Sequence, residues 1–358
     1  MKKCICCDII SLLFELYDFM EDRIKEVLLP FQDQPYNLMY HNTAFPMGII
    51  QANATQDLTP WLCGKYINCY FRTFSGSNKF VNCITDNWAE KDQILLKQRL
   101  ELAWEHYEIY FGNIISLLKK MLDLGNYVHG RYNEQLIPGK SAFQKKYLSH
   151  DYLLIGYDDS QEHFVSVGYL ADHKFQRYYI PYDNMYQAIH TLKNAKIFIN
   201  FWKYNSNACL GLNRKRIVSE LNDYVNSNLS QKIYTERTFY GMAAIEQLKQ
   251  FLVGSAQKDG WLDYRYIRGV MEHKFFMHMR IKYLLETGVL QNAEYLQNAE
   301  AVYKMSERTH MLGLKYLMTR KDSVLEGVVQ TMDQMMAVEQ CYLPKVLTDL
   351  QAAWRDEV

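Results

Sequence analysis

The chain has 358 residues, with 40 basic and 40 acidic side chains, so its formal net charge is zero; 49% of residues are hydrophobic and 22% charged. That length supports a large core divided into two lobes or domains. Balanced charge leaves no net field to recruit nucleic acid or an anionic membrane, no run of five or six basic residues suggests a local basic groove, and no stretch reaches the roughly 18 apolar residues of a membrane span.

The opening MKKCICCDII sets three thiols, Cys4, Cys6 and Cys7, directly before an apolar run. Polar residues at 8, 11, 15, 18 and 22 recur every three or four positions, with Ile9, Leu12, Leu13, Leu16 and Met20 largely opposite. This spacing predicts one long amphipathic helix or two short ones, with the thiols at or just before the first turn. Acids interrupt the apolar run and no small-residue cleavage site follows, so a secretory signal is not expected. Cytoplasmic location, with free thiols, is the expectation.

Residues 32–90 are mixed and turn-rich, with a candidate strand in KYINCYFRTF (65–74). Residues 90–125 read as helical, broken near Gly112 and ending at a glycine C-cap. The pattern then switches to strands, which follow one another from about 127 to 204. DYLLIGYDDSQEHFVSVGYL reads as a hairpin with DDSQE as its turn. Beyond the polar boundary at 205–216 the spacing is helical: 213–228, 235–255, 262–288, 291–318 and 322–356. The expected architecture is α+β over residues 1–205, followed by an all-helical region over 206–358.

Two constellations carry chemistry. His150 stands at the entrance to an apolar strand, and a turn centred near 160–161 folds the chain back so that Asp172 falls close to it. Such a carboxylate could hold one imidazole tautomer and stabilise its cation; the alternative is a turn histidine beside a solvated acid. A thiol at a helix N-terminus meets the positive end of the dipole and backbone N–H groups, which favour thiolate and can receive an oxyanion. The three thiols Cys4, Cys6 and Cys7 are the candidates, the alternative being small core residues at a chain end. Cys63 and Cys69 match structural zinc spacing poorly. His273 and His278 are five apart, not the four of a metalloprotease helix. Met271, Met277 and Met279, with Met332, Met335 and Met336, read as gap-filling core or as an adaptable apolar groove.

The segment from Val128 to Ile189 resembles a papain-like family of cysteine acyltransferases in natural-product biosynthesis, the butirosin-type enzymes and the related closthioamide transacylase. HDYLLIGYDD resembles the family's catalytic-histidine strand, VHGRYNEQLIP its acidic-aromatic element with Asn133 where an acid is usual, and YNLMYHNTAF (36–45) its Y-E-L-M-F element. The resemblance implies a papain-like fold in which Cys7 or Cys4 is the nucleophile, His150 the base and Asp172 its orienter. It also implies acyl transfer from a carrier-protein phosphopantetheine thioester to an amine, with no cofactor of the enzyme's own. By the family's spacing, counting back from Tyr36 lands near Met20, so the resemblance implies either a longer first helix or a homologue without the nucleophile. A thioester hydrolase or peptidase and a carrier-binding module without catalysis remain the alternatives. The oligomeric state stays open, a homodimer through the helical region being one arrangement.

Overall fold

The computed structural model describes residues 25–74, 77–81, 92–103, 106–107, 109, 113–193, 197–229, 237–259 and 262–355. In chain order its elements are β1 (Glu26–Leu28), α1 (His41–Asn53), α2 (Thr59–Leu62), β2 (Tyr70–Phe74), β3 (Ser77–Val81), β4 (Leu95–Leu102), α3 (Ile114–Asp123) and β5 (Tyr127–Asn133). There follow β6 (Ser149–Asp158), β7 (His163–Tyr169), β8 (Phe175–Pro181), α4 (Tyr182–His190), β9 (Ile197–Tyr204), α5 (Arg214–Val225) and β10 (Thr238–Tyr240). The last four helices are α6 (Gly241–Asp259), α7 (Tyr264–Glu286), α8 (Glu294–Thr319) and α9 (Asp322–Ala353). A mixed region rich in strands is thus followed by a helical one, a general α+β architecture, although the strand β10, paired with β2, stands where the helix expected over 235–255 would begin, and that helix starts at Gly241. Among the described residues no helix is long and apolar enough to cross a membrane.

Two compact units divide the chain, and each is discontinuous. One holds the described residues up to Asp33 together with Lys97–Lys203; the other holds Gln34–Leu96 and Tyr204–Val358. The composition shift near 205 therefore marks where strands give way to helices, and packing follows a different division. Residues 34–96 pack with the C-terminal helices because buried polar groups bind them there. Glu272 of α7 accepts hydrogen bonds from the backbone N–H of Leu38 and Met39 at 2.9 and 3.2 Å. Arg280, one turn from the end of the same buried face, donates to the carbonyls of Cys63 and Lys65 at 2.7 and 2.6 Å. His273 bonds the Ile67 carbonyl at 2.8 Å. These are main-chain groups that would otherwise be buried without partners.

In the first unit a sheet runs in the order β4-β9-β5-β6-β7-β8, with β1 added to β6. The β6–β7 hairpin forms as its sequence predicts, with Asp158 opposite His163 and a bulge between Leu154 and Gly156. At Gly156 a Cβ would lie 2.2 Å from the Val27 carbonyl oxygen, so glycine is what lets β1 pair at this point. Helices α3 and α4 contribute to the apolar core beneath the sheet, which includes Val128, Tyr132, Tyr152, Leu154, Tyr178 and Ile180. The exit from α3 is the expected glycine cap: Gly125 takes a φ of 76°, Gly125 N–H bonds Leu122 and Asn126 N–H bonds Met121.

The helix expected over 90–125 is only half right, since its first part is the strand β4. Leu100 and Leu102 pack on the core while the Arg99 guanidinium covers the Phe198 ring at 4.6 Å. That alternation has a period of two, which suits a strand. The strand expected over 65–74 begins only at Tyr70. Helix α1, inside a stretch read as turn-rich, is buried along most of its length and so lacks a polar face to announce it.

In the second unit the core of α5–α9 includes Met277, Met332, Met335 and Met336, as the gap-filling reading expects. Within it lies a buried polar knot. Lys274 Nζ bonds Glu339 Oε2 at 2.6 Å and the Tyr224 hydroxyl at 2.7 Å, and that hydroxyl donates to Glu339 at 3.0 Å. Burial and the Glu339 charge hold the Tyr224 hydroxyl far above the ordinary phenol range.

Candidate functional site: a histidine on a buried glutamate

Strand β5 carries the chain into a single 3-10 turn, Glu134–Leu136. Asn133 fixes that turn. Its side-chain oxygen accepts from Gln135 N–H at 3.1 Å and from Leu148 N–H at 3.2 Å, tying the end of β5 to the approach of β6. In the ladder between these strands Tyr132 stands opposite His150 and Asn133 opposite Ser149. Glu134, the next residue, is thereby carried to the imidazole.

His150 Nδ1 lies 2.8 Å from Glu134 Oε1. The glutamate side chain is only 5% exposed and the imidazole 46%, so the carboxylate is built in while the ring stays accessible. A carboxylate can only accept, which makes Nδ1 the protonated nitrogen and leaves Nε2 as the basic one. On the same ladder Arg131 stands opposite Asp151 and pairs with it at 3.1 Å.

Below the glutamate sits Lys140, 1% exposed, with its Nζ 3.9 Å from Glu134 Oε1. The ammonium donates to the Tyr169 carbonyl at 2.8 Å and lies 4.2 Å from the centre of the Tyr178 ring. Tyr178 and Tyr132 share a hydroxyl–hydroxyl bond of 2.8 Å.

Asp172 does not fill the role expected of it. Its carboxylate accepts from Lys174 N–H at 3.1 Å and from Gln176 Nε2 at 3.4 Å, at the exposed β7–β8 turn. The turn is tightened by His173 at a φ of 61°, which directs the acid toward its own strand ends. The carboxylate on His150 is Glu134, supplied by the turn that follows β5, on the other side of β6. The β6–β7 hairpin is a local feature of the sequence, while the β5–β6 register that delivers Glu134 spans a longer connection. The available signal was the acid in YNEQLIP, adjacent to Asn133.

Cys4 and Cys7, with Cys6 and Cys83, lie outside the described residues. The four described cysteines, Cys63, Cys69, Cys209 and Cys341, are unpaired and all belong to the other unit. Burial pushes the Cys63 and Cys69 thiols up to about 12, so neither is a thiolate near neutrality. In the native protein at about pH 8, iodoacetamide is therefore expected to modify Cys209 and Cys341 and to spare Cys63 and Cys69 until unfolding. Peptide mass mapping with and without denaturant checks this. Labelling of Cys63 at the rate of Cys341 would contradict it.

Among the described residues no group of three His, Cys, Asp or Glu side chains gathers as a metal site. His273, one of the helical histidines, is fully buried and, with its Nε2 on the Ile67 carbonyl, serves packing. No family model and no curated protein matches this chain.

Proposed function

We propose that the chain is a cysteine-dependent acyltransferase of papain-like fold that moves an acyl group from a carrier-protein thioester to an amine. The reading is carried by the half-exposed His150 imidazole bonded through Nδ1 to the buried Glu134. That arrangement is what general-base activation of a thiol requires. Glu134 takes the orienting role, and the nucleophile is Cys7 or Cys4.

The chemistry balances with these groups alone. Nε2 of His150 accepts the thiol proton, and sulfur attacks the thioester carbonyl. The tetrahedral intermediate collapses, the carbon–sulfur bond to phosphopantetheine breaks, and the imidazolium returns its proton to the departing thiolate. An amine then attacks the acyl-enzyme and loses its proton to His150, and the cysteine sulfur is expelled and takes that proton back as the amide forms. A reducing, cytoplasmic setting keeps such a thiol active.

The test is intact-mass measurement after incubation with an acyl-N-acetylcysteamine thioester. An acyl adduct is expected, absent from Cys7→Ala or from Cys4→Ala, whichever removes the nucleophile. Adding candidate amines is expected to discharge it as amide. Discharge only as free acid would make the protein a thioester hydrolase. No adduct, together with tight binding of an acyl carrier protein, would make it a binding module.

A further inference from the structure

The chain leading into His150 carries a pattern of its own. From Lys146 to His150 the side chains alternate: Lys146, Leu148 and His150 are exposed, while Tyr147 and Ser149 between them are half-buried. A period of two belongs to extended backbone and sets the three exposed side chains in one line on one face. The line is pinned at its middle. Leu148 N–H donates to the Asn133 side-chain oxygen at 3.2 Å, and the Leu148 carbonyl accepts from Glu134 N–H at 2.8 Å. A cation, an apolar side chain and the accessible imidazole thus stand in order, the two ends roughly 13 Å apart at about 3.3 Å per residue.

The charge at the far end is not neutralised by its surroundings. No Asp or Glu occurs from Gln135 to Ser149, a stretch that holds Lys140, Lys145 and Lys146. Lys145 Nζ donates to the Ser141 carbonyl at 3.2 Å, and Lys193, from beyond α4, lies over the Tyr147 ring at 4.7 Å. The acids that bracket the stretch are already engaged, Glu134 with His150 and Asp151 with Arg131. Among the described residues Lys146 has no hydrogen-bond or ion-pair partner.

A donor suited to this line has a reactive group at one end and an anion at the other. In a phosphopantetheine thioester roughly thirteen bonds separate sulfur from phosphorus, as many as in about four residues of backbone, so the extended arm is about 15 Å long. Its phosphate is an anion that a lysine ammonium recognises as a point charge. We propose that the line Lys146–Leu148–His150 is the bed of the donor's phosphopantetheine arm, with the Lys146 ammonium at the phosphate and the thioester at His150. The inference deepens the acyltransferase reading and rests on it for the thioester.

The bed is tested on the full chain without any acyl group, by titrating 4′-phosphopantetheine, pantetheine and inorganic phosphate separately at low ionic strength. The His150 ring signals report binding by NMR and are assigned by their loss in His150→Ala. The parent chain is expected to bind phosphopantetheine about three- to five-fold more tightly than pantetheine, the upper range of an exposed charge pair. That advantage is expected to fade as salt is raised. Lys146→Gln is expected to bind the two alike, and Lys146→Arg to keep the preference. Lys145→Gln neutralises the neighbouring lysine and is expected to keep it too. Equal loss in Lys145→Gln and Lys146→Gln would show only a diffuse positive field and overturn the proposal. So would inorganic phosphate binding as tightly as phosphopantetheine, or a preference that survives in Lys146→Gln. The preference behaving as expected, with no acyl adduct in the thioester experiment, would instead remove the acyltransferase reading and leave a pantetheine-binding bed.

Discussion

A His150→Ala variant is expected to acquire its acyl group about 10²–10⁴-fold more slowly than the parent chain, the range for loss of a positioned general base. The expectation follows from Nδ1 being committed to Glu134 at 2.8 Å, which makes Nε2 the proton acceptor. The substitution is mild for the fold. The ring is 46% exposed, and the glutamate it leaves behind still has the Lys140 charge 3.9 Å away. Affinity for a carrier protein should therefore change little. Glu134→Gln is expected to approach the same loss, because an amide that donates to Nδ1 enforces the unproductive tautomer. Single-turnover acylation followed by mass, beside a carrier-binding titration, checks both variants. Equal loss of rate and binding would indicate a damaged domain and count against a base role for His150.

The second large effect concerns stability. Lys274→Met is expected to destabilise the helical unit by about 3–5 kcal/mol, the cost of leaving a buried charge without its partner. Lys274 and Glu339 are 0% and 1% exposed and 2.6 Å apart. Removing the ammonium strands the carboxylate next to Tyr224. The other Glu339 oxygen, Oε1, already has no hydrogen-bond partner among the described residues, so little compensation is at hand. The double variant Lys274→Met/Glu339→Leu is expected to recover much of the loss, because a packed apolar pair avoids the desolvation of both ions. Urea unfolding of the two single variants and the double variant gives the coupling directly. Additive losses would show that the pair is not acting as one ionic unit.

The parts of the fold legible in the sequence were those governed by local periodicity. The β6–β7 hairpin, its turn at 158–163, the Gly125 cap and the long C-terminal helices all follow from spacing and turn chemistry. What stayed hidden depends on distant partners. Strand β4 carries charges that suit an exposed helix equally well, and its neighbour β9 lies about a hundred residues on. Helix α1 is buried and carries Pro46, so neither amphipathicity nor composition marks it. The site divides the same way. His150 stands out at the mouth of an apolar strand, and the hairpin suggested a nearby acid in Asp172. Glu134 reaches the ring only through the register of β5 against β6, which propensity does not encode.

The interleaving of the two units has a consequence for synthesis. The carbonyls of Cys63 and Lys65 receive their hydrogen bonds from Arg280, which is 215 residues later than Lys65. At the usual pace of elongation, roughly 5–20 residues per second, that donor emerges from the ribosome about 10–40 s after its acceptors. Meanwhile the apolar stretch around α1 and Tyr66 has no helices to pack on. The newborn chain thus carries this apolar segment without its packing partners until the C-terminal helices have been made.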